Sequence, residues 1–207
     1  MKKIVIIQYG MGNVHSVKSA ISFLGYDAIL SDDKKIISEA DYLILPGVGE
    51  FSSGIKNLKD SGLSELIIEI HKNKNARILG ICLGMQLLCL SSDEGSYNSG
   101  LGLIKGHVER FNSSKNIRIP HVGFNEVKLN KDSVLGGWSD ESIKDFYFVH
   151  SHRINKYEDK EKPYISMANY GDDFIAIYEK ENLFATQFHP EKSQTNGLNL
   201  LYNFIEK

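Results

Sequence analysis

The 207-residue chain is long enough for one domain with a proper core, and its 42% hydrophobic and 24% charged content are ordinary for a globular protein. A formal net charge of −2, with lysines spread along the chain, excludes a nucleic-acid footprint. No apolar run approaches the roughly 18 residues of a membrane helix, and the short run after Met1-Lys2-Lys3 ends in Gln8-Tyr9-Gly10 without a small-residue cleavage site, so a cytoplasmic protein is expected.

In chain order, Lys3–Gln8 is expected to be a buried strand and Gly10-Met11-Gly12-Asn13 a turn. Val14–Leu24 is a helix, because Val14, Val17, Ala20, Ile21 and Leu24 fall at helical spacing, and Gly25 closes it. Asp27–Leu30 and Asp41–Leu45 are further strands, the second stopped by Pro46-Gly47-Val48-Gly49. From about Leu58 to Lys74 the pattern is helical, with Leu63, Leu66, Ile67 and Ile70 inward; Arg77–Ile81 is a fourth strand and Met85–Leu90 a following helix. Short apolar strands alternating with helices predict a parallel sheet covered on both faces. Ser91–Gly100 reads as a polar loop. Beyond it come short strands over Gly106–Phe111, Glu126–Leu129, Phe146–His150, Ile165–Asn169, Ile175–Glu179 and Leu183–Phe188, read as antiparallel, with polar links such as Asn155–Lys162. Leu198–Ile205 is a closing helix whose Leu198, Leu201, Tyr202 and Ile205 form a core face. The expectation is one α/β domain over residues 1–207, with a mostly parallel central sheet flanked by helices and antiparallel β additions.

Three segments carry chemistry. Ile78-Leu79-Gly80-Ile81-Cys82-Leu83-Gly84-Met85-Gln86 is a strand running through Gly-x-Cys-x-Gly into a helix, the nucleophile-elbow pattern with cysteine at its apex. The two glycines leave room for the sharp turn, and helix N–H groups aimed at the sulfur favour thiolate. Gln187-Phe188-His189-Pro190-Glu191 ends a strand with an imidazole and, two residues on, a carboxylate. Pro190 biases His189 to an extended geometry, in which residues two apart point the same way, so the pair supplies a base and its orienter. Leu45-Pro46-Gly47-Val48-Gly49-Glu50-Phe51 ends a strand in a glycine-bracketed loop able to aim an N–H at a developing oxyanion, with the Leu83 N–H as the second donor.

Other features read blandly. Gly10-x-Gly12 after the first strand lacks the third glycine of a dinucleotide loop, His15 standing in its place, although Asp32 and Asp33 follow about 20 residues on. No Cys-x-x-Cys or His-x-x-x-His spacing marks zinc, so no metal or cofactor is expected. If Cys82 and Cys89 shared a helix, about 10 Å of rise would separate them, beyond the roughly 7 Å reach of a disulfide; Cys89 is read as a small core residue. His107, His121, His150 and His152 are scattered, and His150-Ser151 at a strand end is the most site-like.

Gly80–Gln86 with His189-Pro190-Glu191 resembles the triad-type, class I glutamine amidotransferases. Tyr9-Gly10-Met11-Gly12-Asn13, Leu45–Gly49, Gly100–Gly106, Ile119-Pro120-His121-Val122-Gly123, Tyr147–Ser151 and Phe188–Gln194 extend the likeness along essentially the whole chain to the glutaminase subunits of imidazole glycerol phosphate synthases. The length, without a fused acceptor domain, fits such a subunit. The resemblance implies hydrolysis of L-glutamine to glutamate and ammonia, and a heterodimer with a (β/α)8-barrel cyclase that receives the ammonia in histidine biosynthesis. It implies Cys82 as nucleophile, His189 as base and acid, Glu191 as orienter, and Val48 and Leu83 as oxyanion donors. Gly49, Gln86, His150 and Ser151 would line the glutamine pocket; Asn13, Tyr147 and Lys192 would face the partner, whose ligand-binding switches the glutaminase on. One departure stands out: the family's Gly-Trp-Asn is Gly123-Phe124-Asn125 here, which loses an indole N–H near the partner face.

Three other readings share parts of this pattern. A related pair aminating a surface-glycan sugar precursor tolerates Phe124. A free-standing γ-glutamyl-type cysteine hydrolase shares the elbow, but Lys192-Ser193-Gln194 favours the synthase subunit. A non-catalytic binding domain is disfavoured by the intact Cys82, His189 and Glu191.

Overall fold

Ile4–Ile7 (β1) is buried along its whole length, and its side chains alternate between two cores: Val5 and Ile7 in one, Ile4 and Ile6 in the other. A strand covered on both faces belongs at the centre of a parallel sheet. The computed structural model, which describes residues 2–113, 117–139, 142–157 and 162–207, places it there, between Ala28–Ser31 (β2) and Tyr42–Gly47 (β3), parallel to both. Of the predicted 155–162 link, residues 155–157 instead end a strand, and 158–161 lie outside the described residues.

Val14–Phe23 (α1) starts where the Asn13 side chain accepts the Ser16 N–H at 3.3 Å. Lys34–Ser38 (α2), absent from the expectations, starts the same way on Asp33, whose carboxylate accepts the Lys35 and Ile36 N–H groups. The single helix expected near 58–74 is two, Phe51–Asp60 (α3) and Leu63–Asn73 (α4), because the chain passes through a left-handed Gly62 with φ 65°. β3 continues through Pro46 and Gly47 instead of stopping at Leu45. Its pairing with β1 ends at Ile44, so the missing proline N–H breaks no ladder on that side.

Arg77–Cys82 (β4) is followed by a short helix, Leu83–Leu87 (α5), and by Cys89–Ser92 (β5). The helix expected over 85–90 therefore ends early, and Cys89 opens a strand; both thiols are free. The region read as a polar loop pairs β5 with Asn98–Ser99 (β6). Then come Ile104–Arg110 (β7), His121–Lys128 (β8), Ile143–His150 (β9), His152–Tyr157 (β10), Tyr164–Tyr170 (β11), Asp172–Lys180 (β12) and Leu183–Thr186 (β13). A single 3-10 turn, Pro190–Lys192, precedes Gln194–Glu206 (α6).

Among the described residues, nine strands form one sheet in the order β2-β1-β3-β4-β13-β12-β11-β8-β9, and β10-β7-β5-β6 form a second. Two of the predicted antiparallel strands are corrected in part: β7 is antiparallel to β10 but parallel to β5, and β13 is antiparallel to β12 but parallel to β4. One face of the large sheet is covered by α2–α5 and the small sheet, the other by α1 and α6. On α6 the core face is Leu200, Leu201, Phe204 and Ile205; Tyr202, expected there, is exposed. No helix among the described residues is long and apolar enough to cross a membrane.

Candidate active site

β4 ends at Cys82 with φ 54° and ψ −108°, a conformation rarely taken by a residue with a side chain, and α5 begins at once. Packing enforces the bend. A Cβ on Gly84 would lie 1.9 Å from the Leu45 carbonyl oxygen, and one on Gly80 2.6 Å from Leu88 Cδ1. Only glycine lets α5 press this closely on β3 and β4, as the elbow pattern predicts.

The parallel pairing of β13 with β4 sets Thr186 opposite Ile81, so the next residues run alongside Cys82. Phe188 anchors them, stacked on Phe146 at 4.0 Å between ring centres. His189 is extended, but Pro190–Lys192 is a 3-10 turn, so the turn, not a continuing strand, brings Glu191 beneath the ring. His189 Nδ1 and Glu191 Oε1 are 2.8 Å apart, both side chains almost fully buried. Nε2 has no hydrogen-bond partner among the described residues. Burial opposes charge on this imidazole, yet the nearby Cys82 sulfur and Glu191 carboxylate outweigh it and raise its pKa to about 10.

A cavity of about 400 Å³ opens over Cys82, in the usual range for small-molecule sites. It is lined by Val48, Gly49, Leu83, Gln86, His150 and Ser151, all expected at the site, by Lys192, expected to face a partner, and by Glu94, Pro120, Val149 and His152, which were not expected. His150 Nδ1 donates to the His152 carbonyl at 2.8 Å, which leaves Nε2 to accept from His121 Nδ1 at 3.0 Å. Burial lowers the pKa of His150 to about 3 and of His121 to about 4, so this pair is neutral. Glu94, the one acid among the described residues that line the cavity, accepts the Phe51 N–H at 2.9 Å and lies 3.4 Å from His152 Nδ1. It ties the start of α3, just past the Val48-Gly49 loop, to the opposite wall. No motif marks it in the sequence.

The residues expected to face a partner divide. Tyr147 meets Phe124 edge to face at 5.6 Å, with the Lys192 ammonium 5.9 Å from its ring centre, and Phe124 is half exposed. The Asn13 side chain is instead engaged in capping α1. Ser193 fastens this corner: its hydroxyl donates to the His189 carbonyl at 2.6 Å and accepts the Tyr147 N–H at 2.9 Å.

The family model for class-I glutamine amidotransferases matches residues 5–207. The chain belongs to this family. It is 44% identical over 206 residues to the imidazole glycerol phosphate synthase subunit HisH 2 of Methanococcus maripaludis, with 99% of each chain covered. It is 43% identical over 202 residues to subunit HisH 1 of Campylobacter jejuni, with 98% of each covered. Among solved structures, one described as a glutamine amidotransferase superposes with a TM-score of 0.76 at 20% identity, covering 98% of this chain and 97% of the other. PurLQS from Thermotoga maritima gives 0.74 at 19%, covering 99% and 98%. These likenesses show that the large mixed sheet with flanking helices is the amidotransferase fold, and the chain is a glutamine amidotransferase enzyme.

Proposed function

We propose that this amidotransferase, one functional unit over residues 1–207, is the cytoplasmic glutaminase subunit of an imidazole glycerol phosphate synthase, passing ammonia to a barrel-shaped cyclase in histidine biosynthesis. The observation that carries the chemistry is the line from Glu191 through His189 to the cavity over Cys82. The pathway rests on near full-length relatives bearing that name.

Glutamine enters the cavity with its side-chain amide over Cys82. Glu94 is placed to attract the substrate ammonium, while Gly49, Gln86, His150 and Ser151 shape the walls. The Cys82 thiolate attacks the amide carbon, forming the S–C bond, and the oxyanion takes the N–H groups of Leu83 and Val48. The His189 imidazolium gives its Nε2 proton to the amide nitrogen, the C–N bond breaks, and ammonia leaves a glutamyl thioester. Neutral His189 then takes a proton from water as the water attacks the thioester; the S–C bond breaks, and glutamate and the thiolate remain. Glu191 fixes the imidazole tautomer throughout. No group outside this list is required.

The Tyr147, Phe124 and Lys192 corner is the surface we assign to the cyclase. Asn13 belongs to the same assignment by resemblance alone. Phe124, where the family carries tryptophan, favours one second reading, a sister synthase that aminates a surface-glycan sugar precursor.

Glutamate release is measured for the chain alone, with the cyclase, and with the cyclase plus its nucleotide substrate. Low activity alone and a large rise only with both partner and nucleotide supports the histidine-pathway reading. A rise with the partner but indifference to the nucleotide transfers the chain to the sister synthase. Full activity alone makes it a free-standing hydrolase.

A further inference from the structure

One fully buried side chain next to the nucleophile has no part in the mechanism above. Gln187 is the residue after β13, and its main-chain N–H is held by the Ala176 carbonyl at 2.9 Å. Its Nε2 lies 3.7 Å from Cys82 Sγ, within hydrogen-bond reach of a sulfur. Its Oε1 accepts from Gln86 Nε2 at 3.1 Å, and Gln86 Nε2 also donates to the His152 carbonyl at 3.0 Å.

This chain of amides has a direction. The two Gln86 hydrogens are committed to two carbonyl oxygens, so Gln187 must present its own carbonyl to Gln86 and its NH2 to the sulfur. Flipped, Gln187 would set an oxygen lone pair against the sulfur and one NH2 against another, two repulsive contacts between buried groups. The main chain fixes the near end of the side chain and Gln86 the far end.

We propose that Gln187 is a positioning residue for the nucleophile: its N–H, aimed by Gln86, holds the Cys82 sulfur in one place and stabilises negative charge on it. Cys82 is itself buried, and a neutral donor stabilises an anion on its sulfur without changing the charge of the site. The donor approaches from the protein side, so it stays on the sulfur whether or not substrate fills the cavity. Gln86, assigned by resemblance to the glutamine pocket, acquires a second role as the residue that sets this donor's orientation. The inference rests on Cys82 being the nucleophile, as proposed above.

The test is alkylation of Cys82 by iodoacetamide in the full-length chain across a pH series, followed on the Cys82 peptide by mass, with Cys89, fully buried, as internal control. Gln187→Met keeps the shape and removes the donor; Gln187→Glu keeps the acceptor for Gln86 and offers the sulfur an oxygen. The midpoint of the rate profile is expected to move upward by about one pH unit in Gln187→Met and further in Gln187→Glu. Glutaminase kcat falls about tenfold or more, with KM for glutamine unchanged. Thermal denaturation identifies which variants are folded. Gln86→Met, which leaves Gln187 in place but unpinned, is expected to move the midpoint in the same direction by less. A wild-type midpoint in the folded Gln187 variants, or in Gln86→Met should those not fold, overturns the inference while leaving the triad standing. Retained turnover in Cys82→Ala would instead remove the reading on which it rests.

Discussion

Gly47 and Cys82 stand opposite one another at the end of the β3–β4 ladder. The loop that follows one and the helix that follows the other are thereby held side by side, and with them the Val48 and Leu83 N–H groups proposed to share an oxyanion. A Cβ on Gly47 would lie 2.7 Å from the Gly84 nitrogen and from Leu83 Cβ, and 2.8 Å from the Tyr9 hydroxyl. Gly47→Ala is therefore expected to force these turns apart, lowering kcat on the order of 10²-fold and stability by about 1–3 kcal/mol. Steady-state kinetics beside thermal denaturation checks both, and wild-type turnover would show that the neighbours yield without moving the donors.

Cys82→Ala is expected to abolish glutamine hydrolysis while the chain stays folded, because alanine loses only the sulfur at the apex of the bend. Glutamate release at background, with an unchanged circular dichroism spectrum, is the expected pair of results.

The His189–Glu191 pair predicts a pH dependence. The folded pKa of His189, about 10, is above the unfolded value of about 6.5. Protonation of His189 therefore contributes stability that is fully present below about pH 6.5 and lost as pH rises toward 10. In Glu191→Gln the imidazolium loses its carboxylate, so the stability gap between wild type and variant is expected to be wider near pH 6 than near pH 10. Chemical denaturation at both values measures it, and a gap that widens with pH would reverse the assignment of charge. Turnover in Glu191→Gln is expected to fall less than in His189→Ala; an equal fall would mean that Glu191 does more than orient the ring.

Phe124→Ala removes the half-exposed ring packed against Tyr147. Affinity for the cyclase is expected to drop about tenfold, the usual weight of a central interface aromatic, with Cys82 alkylation in the isolated chain unaltered. Titration calorimetry against the cyclase would read this, and undiminished affinity would move the docking surface elsewhere.

The elbow, the His-Pro-Glu segment and the alternation of the first half were legible because each is local: two glycines around a cysteine, a proline between two functional residues, apolar runs of strand length. What stayed hidden was decided by pairing across the chain. Nothing near Leu183 announces that β13 lies parallel to β4 at one edge and antiparallel to β12 at the other, yet that register delivers His189 to Cys82. Glu94 sits in a polar stretch with no motif, and its place at the cavity follows from β5 joining β7 in the second sheet. Residue spacing distinguished neither the break at Gly62 nor the early end of α5, since apolar positions continue through both.

Ser193 and the hydrogen bond from the His189 N–H to the Tyr147 carbonyl, 2.9 Å long, join the base to the edge strand β9. Cys82 hangs from a different girder, β4, in the middle of the sheet. The outermost strand therefore carries at once the aromatic patch that meets the outside world and the peptide from which the imidazole is slung. The Tyr147 carbonyl holds the base and, two residues on, the Val149 carbonyl accepts from the Cys82 thiol at 3.9 Å, so a displacement of this one strand reaches imidazole and sulfur together.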